Sequence, residues 1–154
     1  MPNSIQDEVI ELFIHFARLL NQPRSVGAIY GLLFCSPEPM TLDDIQTRLA
    51  ISRGGASMGL KFLREIGAIR EVRNNQDRRL HYEAEIQVRR VLRNLLRDHL
   101  QPEIEQGRKR LASLRSTLDQ SNADPYLKRR LDHLQNWGRR ANQLLPVLKA
   151  ILGP

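Results

Sequence analysis

The sequence predicts a mainly α-helical fold with one small β-hairpin set into its middle. Apolar residues recur at three- and four-residue spacing over most of the chain. That period gives way to short extended runs only between about residues 69 and 82. Prolines, glycines and capping residues fall where one helix must stop and the next begin. With 154 residues, 41% hydrophobic and 27% charged, the chain can hold one compact domain, or a small domain with a helical extension.

Residues 5–20 form the first predicted helix. Ile5, Val9, Leu12, Phe13, Phe16 and Leu20 make its apolar stripe, and Ser4 with Asp7 three residues later supplies an N-cap. Asn21-Gln22-Pro23 ends it, and Arg24 to Cys35 read as a second helix. Glycine disfavours a helix interior by roughly 1 kcal/mol, so Gly27, Ala28 and Gly31 point to a backbone packed closely against this helix. Ser36-Pro37-Glu38-Pro39 is a loop, each proline turning its predecessor away from helix.

Thr41 opens a third helix, with Asp43 and Asp44 placed to suit its dipole and Leu42, Ile45 and Leu49 on its buried side. Ala50-Ile51 is a tight connection. Ser52 caps a fourth helix that runs to about Ile66 and stops at Gly67. Ile69 to Arg73 and Arg79 to Tyr82 then read as strands about the turn Asn74-Asn75-Gln76-Asp77.

Helix resumes after Ala84. Ile86, Val88, Val91, Leu92, Leu95, Leu96 and His99 give one side, and Arg89, Arg90, Arg93 and Arg97 cover much of the other. Pro102 should kink or divide this helix. Leu111, Leu114 and Leu118 continue the pattern until Ser121-Asn122-Ala123-Asp124 breaks it. Asp124 caps a last helix with Pro125 at its first position. Leu127, Leu131, Leu134, Gly138, Ala141, Leu145, Leu148 and Leu152 form a heptad seam there, with a distortion expected at Pro146.

Charge is distributed unevenly. Residues 1–51 carry three Arg/Lys against six Asp/Glu, residues 52–97 eleven against five, and residues 98–154 ten against six. The largest cationic excess therefore falls on the fourth helix, the hairpin and the helix after it. A folded basic surface concentrates polyanions and releases their counterions.

Helix, short turn, helix and hairpin between Thr41 and Tyr82 follow the order of a winged helix-turn-helix. At about 100° per residue, Ala56, Gly59, Leu60 and Leu63 of the fourth helix face one way, flanked by Phe62 and Ile66. Gly54, Met58, Lys61 and Glu65 face the other, with Ser57 on their flank and Arg53 at the N-terminal end. Small, hydrogen-bonding and cationic residues near the helix start suit insertion into a major groove. Gly54 and Gly55 let the helix start lie against phosphates, whose charge the free amides favour. An inward Gly59 would let the third helix cross closely. At the hairpin tip, Arg78 and Arg79 can enter a minor groove or hold phosphates. The competing readings are a packing helix of an ordinary bundle, and a solvated turn in which Asp77 pairs with a neighbouring arginine.

The runs Pro23-Arg24-Ser25-Val26-Gly27-Ala28-Ile29-Tyr30-Gly31-Leu32-Leu33-Phe34 and Ser52-Arg53-Gly54-Gly55-Ala56-Ser57-Met58-Gly59-Leu60-Lys61-Phe62-Leu63-Arg64-Glu65-Ile66-Gly67-Ala68 carry a specific likeness. Over about residues 5 to 100 the chain resembles the GbsR branch of the MarR-like transcriptional regulators. The resemblance implies a bacterial, homodimeric DNA-binding regulator, usually a repressor. It places Ser52 to Lys61 in the recognition helix and Asp77-Arg78-Arg79 in the wing. Well-known members respond to choline or glycine betaine. A quaternary ammonium needs an aromatic cage, however, and aromatics are only 5% here, so that ligand is not carried over.

Other chemistries find less footing. Phe13, Phe16, Tyr30, Phe34 and Phe62 read as core, and Trp137 as a core or interface residue. His15, His81, His99 and His133 lack Cys or Glu partners at metal-ligand spacing, so no metal site is expected. Cys35 alone excludes an internal disulfide framework and reads as a small buried hydrophobe in a reducing compartment. No Gly-rich phosphate loop, Ser-His-Asp set or carboxylate pair suggests an enzyme or a cofactor. No signal peptide and no apolar run of ~20 residues is seen, so a cytoplasmic location without membrane insertion is expected.

The expected organisation is N-terminal helices for dimerisation and support (1–36), a winged helix-turn-helix (37–85), and a C-terminal helical dimerisation region (86–154). The expected partners are a pseudo-palindromic DNA operator, a second copy of the chain, and a small effector that favours one spacing of the recognition helices. Lys61, Arg78 and Arg79 are expected on phosphates or bases, Gly54, Ser57 and Met58 along base edges, and Ser52 and Arg53 at the helix start. A winged-helix adaptor that docks proteins instead of DNA is the alternative.

Overall fold

The computed structural model describes residues 4–121 and 124–153, which form two compact units dividing at Val91/Leu92. The first unit opens with α1 (Ile5–Leu19). Ser4 Oγ accepts the Asp7 amide at 3.1 Å while the Asp7 carboxylate accepts the Ser4 amide, a reciprocal cap. Asn21, left-handed at φ 55°, ends the helix and turns the Gln22 amide back to the Ala17 carbonyl at 2.8 Å.

Helix α2 (Arg24–Cys35) is the centre of the unit, with every residue from Val26 to Leu33 buried. A Cβ on Gly27 would lie 2.4 Å from the Phe13 carbonyl oxygen and 2.5 Å from Ile14 Cα, and one on Gly31 would lie 2.8 Å from Ile10 Cα. The close backbone approach predicted for these glycines is thus made by α1. It also corrects the face of α1: Ile14 and Ala17 are buried, whereas Ile5, Leu12, Phe16 and Leu20 of the predicted stripe are 44–83% exposed. Phe16 is accordingly not core. Phe13, Tyr30 and Phe34 pack ring to ring, with Phe13 edge-on to Tyr30 at 4.7 Å.

A two-residue strand, β1 (Met40–Thr41), precedes α3 (Leu42–Leu49). Thr41 has two duties: its backbone pairs with His81, and its hydroxyl accepts the Asp44 amide at 3.2 Å in a second reciprocal cap. Ala50, left-handed at φ 50°, makes the tight connection to α4 (Arg53–Glu65). Gly67 at φ 68° ends α4 with two bonds, its own amide to the Arg64 carbonyl and the Ala68 amide to the Leu63 carbonyl. Gly59 faces inward as expected, but against α2: a Cβ there would meet Ile29 Cδ1 at 2.6 Å, so the third helix is not the element it admits.

Strands β2 (Ile69–Asn74) and β3 (Asp77–Ala84) form the hairpin about Asn75-Gln76, longer than the sequence predicts and bulged at Arg73/Asn74. The antiparallel sheet runs β1-β3-β2, and the winged helix-turn-helix is complete. The β1 strand escapes prediction because two residues carry no periodicity. Buried Tyr30 ties the sheet to α2, its hydroxyl donating to the Glu85 carbonyl at 2.6 Å.

Helix α5 (Val88–Leu95) carries the chain across the boundary into a π-helical turn, Leu96–Leu100, then α6 (Gln101–Gln120). The π turn is how Pro102 divides the predicted helix. Proline has no amide and crowds the carbonyl four residues back, so the ladder slips to a wider register just before it. The expected break at Asn122 and Ala123 lies outside the described residues. Asp124 caps α7 (Pro125–Leu152) through the Tyr126 amide at 2.9 Å, and the helix continues through Pro146. Arg115 bonds Asp132 and Gln135, and Lys128 bonds Asp119, joining α6 to α7.

The heptad seam of α7 is split. Leu131, Gly138, Ala141 and Leu145 are half-buried and Leu152 is buried. Leu127, Leu134 and Leu148 are exposed, on one stripe with Trp137, Leu144 and Ile151, so Trp137 is not core. No helix among the described residues is long and apolar enough to cross a membrane.

Candidate nucleic-acid interface

Four inward residues, Ala56, Gly59, Leu60 and Leu63, seat α4 on the rest of its unit, and this leaves the opposite face to solvent. Gly54, Ser57, Met58, Lys61 and Glu65 are exposed there, Met58 by 73%. Ser52 Oγ accepts the Gly55 amide at 3.0 Å, fixing the start of the helix. A Cβ on Gly54 would meet nothing within 4 Å, so this position presents bare backbone to an approaching surface. Lys61 takes part in no ion pair among the described residues. Arg53 is paired with Asp43 at 3.2 Å, but both are well exposed, and such pairs are worth about 0–1 kcal/mol and yield readily.

The register of the hairpin separates two neighbouring arginines that the sequence treats alike. Facing pairs Arg73/Leu80 and Glu71/Tyr82 put Arg73 and Arg78 on one side of the ribbon. Arg64 of α4 bonds Glu71 on that same side. Arg79 lies on the other side, clasped by both carboxylate oxygens of Asp77 at 2.8–3.1 Å and within the field of Asp43 and Asp44. The hydrogen bonds and charge of Arg79, with some help from His81, push the Asp77 carboxyl down to about 2. The Thr41 hydroxyl and amide, then Arg79 and His81, also hold Asp44 low.

Arg79 is therefore paired within the wing, the arrangement that competes with DNA contact, though with Arg79 59% exposed this pair too is open to exchange. Arg78 is exposed and in no ion pair among the described residues. Arg73, exposed beside it, is the functional candidate that sequence reading missed. Strand register is what finds it, since Arg73 sits opposite Leu80 on the Arg78 face. The structure thus brings Ser52, Arg53, Gly54, Ser57, Met58 and Lys61 together on one helix, with Arg78 and Arg79 on opposite faces of the wing.

Elsewhere the chemistry is quiet. Burial pushes the half-buried Cys35 thiol up, the reverse of what a reactive thiolate needs. Among the described residues no three His, Cys, Asp or Glu side chains gather where a metal ion could sit.

Neither a family model nor a curated protein matches this chain. Among solved structures it is similar to the crystal structure of a transcriptional regulator, with a TM-score of 0.68 and 22% identity over 97% of each chain. That likeness covers both units and shows the fold: a winged helix-turn-helix with a long helical extension.

Proposed function

We propose that this chain is a sequence-specific transcriptional regulator that binds double-stranded DNA as a homodimer and acts as a repressor, in the manner of the GbsR branch of MarR-like proteins. One observation carries the reading. The capped start of α4 presents a ridge of Gly54, Ser57, Met58 and Lys61 that nothing in its own unit covers. Met58 and Ser57 would lie along base edges, Lys61 and Arg53 on phosphates, and Arg78 with Arg73 in the flanking groove or on its backbone. Residues 37–85 would be the DNA-binding region, and the helices of 1–36 and 86–154 would hold the two copies together. An effector that prefers one spacing of the two α4 helices would regulate operator binding by population shift.

Salt separates this from the adaptor reading. Duplex affinity should fall steeply as salt rises, with a log–log slope near −0.9 for each phosphate neutralised. Lys61→Ala should weaken operator binding by on the order of 1 kcal/mol or more and flatten that slope, with the fold intact by circular dichroism. A flat salt response and an unaffected Lys61→Ala would instead favour a protein-docking module.

A further inference from the structure

The second unit gathers cations in a place that the DNA-binding reading does not use. A cavity of about 240 Å³ is lined by Arg93, Leu96, Arg97, Lys149 and Gly153. Its walls come from the two ends of the unit, for Arg93 Nη1 donates to the Gly153 carbonyl at 3.3 Å across sixty positions of sequence. Among the described residues no carboxylate lines the cavity, while three positive side chains do. Arg97 is partly satisfied by the adjacent Asp98 at 2.6 and 2.8 Å. Arg93, half-buried, has one described bond for its five N–H groups, and Lys149 has no ion pair among the described residues.

The negative end of the α7 dipole and the Gly153 carbonyl account for a cation here, but not for three. Converging like charges repel one another, and an anion placed between them reverses that penalty. A guanidinium fork suits a planar or tetrahedral oxyanion, and buried Leu96 supplies an apolar wall. The site also lies at the π turn Leu96–Leu100, a helix irregularity often found at functional positions. We propose that this cavity binds a small oxyanion, a carboxylate or phosphate group, with Arg93 and Lys149 as its principal ligands. The volume leaves room for such an ion with some of its water, and lies below that of pockets for drug-sized molecules.

The test uses the full chain. Inorganic phosphate and succinate are titrated in turn at constant ionic strength held by chloride, with nitrogen-edited NMR and thermal melting as readouts. The Arg93 Nε–H and Gly153 amide signals should shift saturably in the millimolar range, and the melting temperature should rise by mass action. Saturation by phosphate alone marks a phosphate-bearing ligand, and by succinate alone a carboxylate. Lys149→Ala, which removes no described hydrogen bond, should weaken binding about tenfold, and Lys149→Arg should retain it. Absence of saturable shifts with either anion, or an undiminished response in Lys149→Ala, overturns the proposal. Neither readout requires DNA.

Discussion

In α2, eight consecutive residues from Val26 to Leu33 are buried; in α7, more than twice as long, Leu152 alone is buried among the described residues. The first unit has an interior: Ile14, Ile29 and Ile45 are almost fully enclosed, and two reciprocal caps and three left-handed helix ends set its corners. The second unit has length without depth. Its long helices leave Leu127, Leu134, Trp137, Leu144, Leu148 and Ile151 facing water in the single chain. A stripe of this kind is the surface through which the proposed dimer would form. The contrast separates a unit built around its own core from a helical extension that leaves much of its apolar surface uncovered within the one chain.

One substitution made in both regions gives the sharpest contrast. Gly27→Ala forces a methyl into the backbone of Phe13 and Ile14 and should destabilise by about 3 kcal/mol in chemical denaturation. Gly107→Ala meets nothing within 4 Å and should stabilise α6 by about 1 kcal/mol. Equal effects at the two positions would erase the distinction between the units.

Next in size is the stripe on α7. Trp137→Ala should weaken self-association by about 2 kcal/mol, read by sedimentation, with little change in the helical signal. Unaltered association would remove α7 from the proposed dimer surface.

The smallest effect belongs to the wing. Because the Asp77 carboxyl lies at about 2, below its unfolded value of about 3.9, its clasp on Arg79 is complete above pH ~4 and is lost as pH falls through about 2. The Asp77 side-chain carbonyl signal should titrate near that value, and Arg79→Ala should return it toward ~4. An ordinary midpoint in the unaltered protein would show that Arg79 is not engaged.

Legibility in the sequence follows the same division. Caps and breakers act locally, so Ser4 with Asp7, Thr41 with Asp44, Ser52, Gly67 and Asp124 could be read directly. The outward face of α4 was equally legible, since one buried side fixes the other. What required the fold was relational. Gly59 announces a close neighbour without saying that it is Ile29 of α2. Arg78 and Arg79 look interchangeable until strand register sends them to opposite faces, one beside Arg73 and the other onto Asp77. The α7 heptad holds enough leucine for two seams, and only packing shows that Leu131 and Leu145 turn inward while Leu134 and Leu148 do not.

Selection of bound duplexes from a random DNA pool tests the central claim most directly. The expected product is a pseudo-palindrome whose half-sites lie about one helical turn apart, as two α4 helices of a symmetric dimer require. A pool that emerges unenriched at low salt would contradict DNA reading by this chain, and enrichment of lone half-sites would contradict the dimer.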